Sequence, residues 1–281
     1  MALTYIQLAT WNIKHLGRQP TEDERSQSVF ALADHLEMAG VDVVALQEIY
    51  VTHEADGERR NEHLDRTCDL LKEHTAADWS YKILQNRNPT DTSQLCAVLW
   101  NEAVVSLVST HAIPVAFQDG DDWLWDRRPH AVAFRTSEEI LGRQRTFVAI
   151  PLHMKANGRD SGARRKRAKE AKELAQKIQW VIDETGDESL ILLGDTNILG
   201  AWEQAAETLV EAGFRDLNEE DDPTYAGGRA PFDRFFVREG RPEFRYSRQY
   251  VLRSANASAH ERFLSDHYLI KTSIKIYVDP S

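Results

Sequence analysis

Apolar residues along this chain fall into short runs, and several runs end in a polar cluster. The most informative is Ser189-Leu190-Ile191-Leu192-Leu193, which passes directly into Gly194-Asp195-Thr196-Asn197. A continuous apolar run of that length predicts a strand covered on both faces. The glycine permits a sharp turn, so a carboxylate and an amide would stand at the strand's C-terminal edge. Met1 to Thr10 alternates as a strand does. Further strands are expected at Val41 to Leu46, Leu95 to Trp100, His130 to Phe134, Thr146 to Ile150, Phe232 to Val237 and Tyr268 to Ile276. Val29, Leu32, Ala33 and Leu36 keep helical spacing, with a capping-box pattern at Thr21 and Glu24 before them and Gly40 as a stop. Other helices are expected from about Asn61 to His74 (Leu64, Leu70 and Leu71 forming its apolar face), from Ala163 to Glu184, and from Trp202 to Ala212 with Gly213 as its stop.

Strands outnumber helices and often follow one another directly. The pattern therefore predicts an α/β protein of the α+β type, with two mixed sheets packed together and helices outside. No repeat and no Pro/Gly/Ser-rich linker divides residues 1–281, which read as a single domain. A composition of 42% hydrophobic and 28% charged residues suits a globular protein with a large core. No apolar run is long enough to span a bilayer, and the N-terminus lacks a basic start and a small-residue cleavage site. The expectation is a cytoplasmic protein, monomeric and with no stable membrane association. Cys68 and Cys96 are too few for a disulfide framework and have no metal-type spacing. The net charge of -11 argues against coating nucleic acid by bulk electrostatics. It is compatible with carboxylates gathered around a divalent cation.

The same polar chemistry recurs at other strand ends. The first strand ends in Thr10-Trp11-Asn12 and the second in Gln47-Glu48. Leu152 leads to His153 and Lys155, Asp233 interrupts the apolar run Phe232 to Phe236, and Ser265-Asp266-His267 precedes the last strand. Singly, each has a plain structural explanation: a turn residue, a solvated carboxylate, a core histidine, a backbone-bonded aspartate. Jointly they point to one site. In order and local context, Thr10-Trp11-Asn12-Ile13, Leu46-Gln47-Glu48, Leu152-His153-Met154-Lys155, Gly194-Asp195-Thr196-Asn197, Phe232-Asp233-Arg234-Phe235 and Ser265-Asp266-His267 resemble the endonuclease/exonuclease/phosphatase superfamily. These are the DNase I-like metal-dependent phosphodiesterases. The resemblance covers nearly the whole chain and implies a four-layer sandwich with its site at one edge of the two central sheets.

That resemblance implies roles. Glu48 would be the main ligand of Mg²⁺ or Mn²⁺, with Asn12 beside it and Asp266 a further candidate ligand; hard oxygens suit these ions. Asp233 and His267 would form an Asp–His pair. Asp195 would orient or deprotonate the attacking water, Asn197 would donate to a phosphate oxygen, and His153 would act as acid or as phosphate ligand. Whether His267 or Asp195 is the base stays open. Many relatives place a Glu before the central strand to orient the histidine, whereas this chain has Gln94. A neutral amide stabilises an imidazolium less, so His153 is expected to serve as phosphate ligand more than as strong acid. Thr196, where an apolar residue is common, should be harmless. Arg128, in an Arg-Pro turn, is a candidate phosphate contact, or else a partner of Asp121, Asp122 or Asp126. The basic run Arg164-Arg165-Lys166-Arg167, with Lys169 and Lys172, is either a solvated helix face or a track for a nucleic-acid backbone.

The expected activity is a nuclease acting on DNA. The alternatives are a phosphatase or phosphodiesterase on a small or lipid phosphate, and a catalytically silent binding module on the same fold.

Overall fold

The computed structural model describes residues 5–18, 27–137, 144–157 and 162–275. In chain order its elements are β1 (Tyr5–Leu16), α1 (Val29–Ala39), β2 (Val43–Ile49), a ribbon of β3 (His53–Ala55) and β4 (Glu58–Arg60), α2 (Glu62–Thr75), β5 (Trp79–Ile83), β6 (Leu95–Asn101) and β7 (Val105–Ala112). A second ribbon, β8 (Gln118–Asp119) and β9 (Asp122–Trp123), leads to β10 (His130–Thr136), β11 (Thr146–His153), α3 (Ala163–Gln176), α4 (Ile178–Thr185) and β12 (Leu190–Asp195). The chain continues through α5 (Gln204–Glu211), β13 (Phe214–Asp216), β14 (Asp233–Arg238), β15 (Tyr250–Val251), α6 (Ala257–Phe263) and β16 (Ile270–Lys275).

Two six-stranded mixed sheets form the centre. The first has the order β15-β16-β1-β2-β6-β5 and the second β13-β14-β12-β11-β10-β7. Within each, one parallel pair (β1 with β2, β11 with β12) sits among antiparallel neighbours. Strand alternation explains the layers. Ile6, Leu8, Val43 and Val98 of the first sheet meet Phe147, Ile191, Leu193 and Phe235 of the second in the central core. Ala9, Trp11, Val44 and Leu99 face the other way, onto Leu32, Leu36, Leu64 and Leu71 of α1 and α2. Val148, Ile150, Leu190 and Leu192 pack on Ala171, Leu174, Val181 and Leu209 of α3, α4 and α5. The order is helix, sheet, sheet, helix, the four-layer DNase I-like sandwich. The unbroken apolar run of β12 follows from this, because both of its faces are covered. No helix among the described residues is long and apolar enough to cross a membrane.

Several boundaries differ from the sequence reading. The expected helix from Ala163 to Glu184 is two helices, broken at Lys177, whose backbone N–H turns back to Leu174 and Ala175. The helix expected from Trp202 starts at Gln204, because Glu203 lies in extended backbone and its carboxylate is taken by Arg167. The capping-box pair Thr21 and Glu24 lies outside the described residues; α1 is instead capped by Ser28, whose Oγ accepts from Ala31 N. Gly40 ends α1 in left-handed backbone (φ 60°), as expected. Asn61 is the cap of α2 rather than its first residue, and its side chain accepts from Leu64 N. The four edge strands of the central sheets, β5, β7, β13 and β15, lie outside the sequence expectations, as do both ribbons; each edge strand has partly exposed residues.

Candidate active site

Strand register brings the second sheet's polar ends side by side. His153 pairs with Asp195 across the parallel β11/β12 ladder, and Asp195 pairs with Asp233 across the antiparallel β12/β14 ladder. Gly194, just before Asp195 in β12, has φ 152°, and beyond Asp195 the chain turns at Asn197, φ 54°. A Cβ at Gly194 would collide with the backbone of Leu152, so the close approach of β11 and β12 depends on this glycine. Asn197 is fixed by its own N–H to Asp195 Oδ1 (3.0 Å) and by Asn157, whose Nδ2 donates to the Asn197 carbonyl at 2.5 Å.

The first sheet delivers its groups differently. The β1/β2 ladder shifts register between Asn12 and Leu16, and the β2/β6 ladder shifts between Leu46 and Ile49. These irregularities leave Lys14 (φ 44°), His15 (φ 59°) and Glu48 (φ 63°) in left-handed backbone at one edge. The Asn12 amide joins the two halves, its Nδ2 donating to Glu48 Oε1 at 3.2 Å and to Asp195 Oδ2 at 3.0 Å. His15 Nδ1 lies 2.7 Å from Glu48 Oε2. Lys14 Nζ lies 2.9 Å from Asp266 Oδ2.

Asp195 is the hub. Its Oδ2 lies 3.8 Å from His153 Nε2 and 4.0 Å from His267 Nε2. His267 Nδ1 donates to Asp233 Oδ2 at 2.8 Å, and Thr224 Oγ1 donates to the same oxygen at 2.6 Å. The main chain of His267 is pinned as well, since its carbonyl accepts from Trp11 Nε1 and is engaged by His260 Nε2, each at 2.9 Å. Ser265 closes the arrangement, its Oγ donating to the Asn12 carbonyl (2.5 Å) and accepting from His267 N (3.1 Å).

Burial and neighbouring charge drive these groups apart in proton affinity. Burial raises the Asp195 carboxyl to about 7, helped by the negative Asp233 and Glu48 and opposed by His267 and the Asn12 amide. Burial opposes charge on His267, yet Asp233 and Asp195 outweigh it and lift the ring to about 10. Burial and the Arg127 cation lower His153 to about 3, so the ring is neutral at neutral pH. Burial would raise Glu48, but the His15 ring and the Asn12 amide oppose it and the carboxyl is held at about 2.

Asn12, Glu48, His153, Asp195, Asn197, Asp233 and His267 are thus gathered at one edge. Three expectations need correction. Gln94 does not orient His153: its Oε1 accepts from Arg127 Nη2, and His153 Nδ1 is buried with no hydrogen-bond partner. Arg128 turns away, its Nε donating to the Ile113 carbonyl at 3.2 Å and its guanidinium lying over the Phe117 ring. Arg127 is the arginine whose charge reaches His153. The basic helix is neither a plain solvated face nor a free cationic track. Arg167 is fully buried and bidentate to Glu203, while Arg165 and Lys169 engage Asp122.

Sequence reasoning missed one acidic residue in that helix. Glu170 is buried, and its two oxygens accept from Trp125 N and Lys155 N, both at 2.9 Å. It ties together the segments that carry Arg127 and follow His153. The signal was a lone carboxylate one turn beyond the basic run, indistinguishable in sequence from a solvated one. Lys14 and His15 were missed too, although they directly follow the Asn12 motif.

The sequence matches the family described as Endonuclease/Exonuclease/phosphatase over residues 9–267. It is 27% identical over 228 residues to a deoxyribonuclease of Thioalkalivibrio sp. (strain K90mix), covering 78% of this chain and 55% of that one. The chain therefore spans about half the length of this curated relative. Among solved structures, D. rerio TDP2 complexed with single strand DNA product superposes with a TM-score of 0.61 at 16% identity, over 96% of this chain and 99% of the other. A mannosyl-6-phosphatase of Bacteroides thetaiotaomicron does so with a TM-score of 0.61 at 14% identity, over 96% and 99%. One architecture thus accompanies different substrates.

Proposed function

Because this chain belongs to the endonuclease/exonuclease/phosphatase family, we propose that it is a divalent-metal-dependent nuclease that hydrolyses phosphodiester bonds of DNA by in-line attack of water. The observation that carries the reading is the buried Asp195 carboxylate, with the Asn12 amide at 3.0 Å and two imidazoles at 3.8 and 4.0 Å. A carboxyl raised to about 7 suits a group that orients water and takes its proton near neutral pH. His267, held cationic by Asp233, offers its Nε2–H to a phosphoryl oxygen as negative charge develops there. His153 is neutral, so it serves as a hydrogen-bonding phosphate ligand and not as the acid. The Asn197 amide is a second donor to phosphate.

Glu48 and Asn12 fit a hard divalent cation: one is an anionic carboxylate and the other an amide hydrogen-bonded to it. Asp266, whose carboxylate Lys14 engages, is the third candidate. Mg²⁺ or Mn²⁺ bound there would neutralise phosphate charge and stabilise the leaving oxygen.

The 27% identity to a deoxyribonuclease supports DNA as substrate. The net charge of -11 favours the second reading, a phosphatase or phosphodiesterase on a small or lipid phosphate. Incubation with plasmid DNA, RNA, bis(p-nitrophenyl) phosphate and p-nitrophenyl phosphate, each with Mg²⁺, Mn²⁺ or EDTA, separates them. Metal-dependent nicking of the plasmid is expected. Turnover of the monoester alone would establish the phosphatase reading, and no turnover at all would point to a binding module.

A further inference from the structure

Of the seven tryptophans in the chain, only Trp123 and Trp202 are exposed, at 56% and 59%. Both lie on segments that adjoin, along the chain, residues of or near the site. Trp202 is in the segment between Asn197 and α5, and Trp123 is in β9, on the segment that leads through Trp125 and Arg127 into β10. Each carries an arginine against its ring: the Arg87 guanidinium lies 5.0 Å from the Trp123 ring centre, and that of Arg164 lies 5.7 Å from Trp202. Neighbouring positions of α3 reach both segments, Arg164 at Trp202 and Arg165 at Asp122 beside Trp123. The placement is fixed. The Trp202 indole lies against Gly200, where a Cβ would collide with it, and the β8/β9 ribbon is clamped by Lys169 on Asp119 and Asp122.

Two exposed indoles, each backed by a guanidinium, offer flat apolar faces to a planar ligand. Their neighbours narrow the choice of ligand. Arg87, Arg165 and Lys169 all have carboxylate partners, Arg167 is buried, and the whole chain is strongly acidic. Bulk attraction to phosphates is therefore a poor source of affinity here. Stacking of bases on indoles is a sufficient one, tolerant of sequence, and it requires bases whose faces are not covered by a duplex neighbour.

We infer that Trp123 and Trp202, each with its arginine, are two stacking platforms for unpaired nucleobases flanking the His153–Asn197 side of the site, so that the favoured substrate is single-stranded. This rests on the nuclease reading above and specifies it.

The test compares a single-stranded oligodeoxynucleotide, its duplex and bis(p-nitrophenyl) phosphate for the wild-type protein and the Trp123→Ala/Trp202→Ala double variant. Loss of both platforms should raise KM for the single strand by about 10-fold or more. Turnover at saturation and kinetics on the small diester should be unchanged. The double Trp→Phe variant should restore most of the affinity, and the wild-type salt dependence should be shallow. Tryptophan fluorescence should be quenched by the oligonucleotide in the wild type and far less in the double Ala variant. An unchanged KM in the Ala variant, an equal loss on the small diester, or duplex bound as tightly as single strand would overturn the platforms while leaving the nuclease reading intact. Hydrolysis of the small diester with neither cleavage nor binding of any nucleic acid would overturn both.

Discussion

The two sheets build their halves of the site by different means. The second sheet uses aligned ladder ends, so His153, Asp195 and Asp233 are cross-strand neighbours and all three are buried. The first sheet uses bulged strand ends, and Glu48 and Asp266 are each met by a basic residue from the bulge in β1. The aligned half is stiff and desolvated, which moves the proton affinities of Asp195 and His153 in opposite directions. The bulged half is more open and balanced by charge, which keeps Glu48 anionic. Proton chemistry suits the first environment, and exchange of a cation suits the second.

Substitutions can break this contrast. Asp195→Ala should lower kcat on a small phosphodiester by about 10³-fold or more, with a smaller loss for His153→Ala. Equal losses would contradict the division between base and phosphate ligand. Gly194→Ala should cost about 3 kcal/mol or more of stability, read from the urea midpoint, because it adds left-handed strain to a clash with Leu152. Glu170→Ala leaves one buried and one part-buried N–H donor unpaired, so both thermal stability and kcat/KM should fall, the latter by about 10-fold. On the bulged side, His15→Ala should weaken Mn²⁺ affinity, followed by titration calorimetry, by about 10-fold with little change in stability.

A further effect concerns pH. Burial lowers His130 to about 4 in the folded protein, below its usual value, so the unfolded chain takes up a proton first as pH falls. The wild type should therefore lose stability relative to His130→Gln between about pH 6.5 and 4. Above that window the difference should be constant. A difference in Tm that is flat across the window would show that His130 does not titrate with unfolding.

What was legible in sequence follows the same division. The run of β12 announced itself because both faces are buried, and its polar end followed directly. The edge strands β5 and β7 lack that double burial and gave no comparable pattern. At the site, each residue closing a strand end could be read from position alone. Partnerships made by tertiary contact could not. Arg127 and Arg128 are adjacent in sequence, and their fates diverge downstream of the left-handed turn at Trp125. Arg167 belongs to a basic run that looks like a solvated surface, yet it is buried because Glu203 arrives from beyond β12.

The Asn12 amide touches a carboxylate on its own sheet and another on the opposite sheet. Together with the His267–Asp233 bond, this side chain measures the offset of two slabs whose shared core is apolar packing, which tolerates small sliding. A displacement of about 1 Å would stretch at least one of these bonds beyond useful length. Activity should then behave as a gauge of alignment, failing on heating before the circular dichroism of the strands declines. Conservative repacking at Phe147 or Ile191, far from any reacting group, should shift the temperature at which that failure begins.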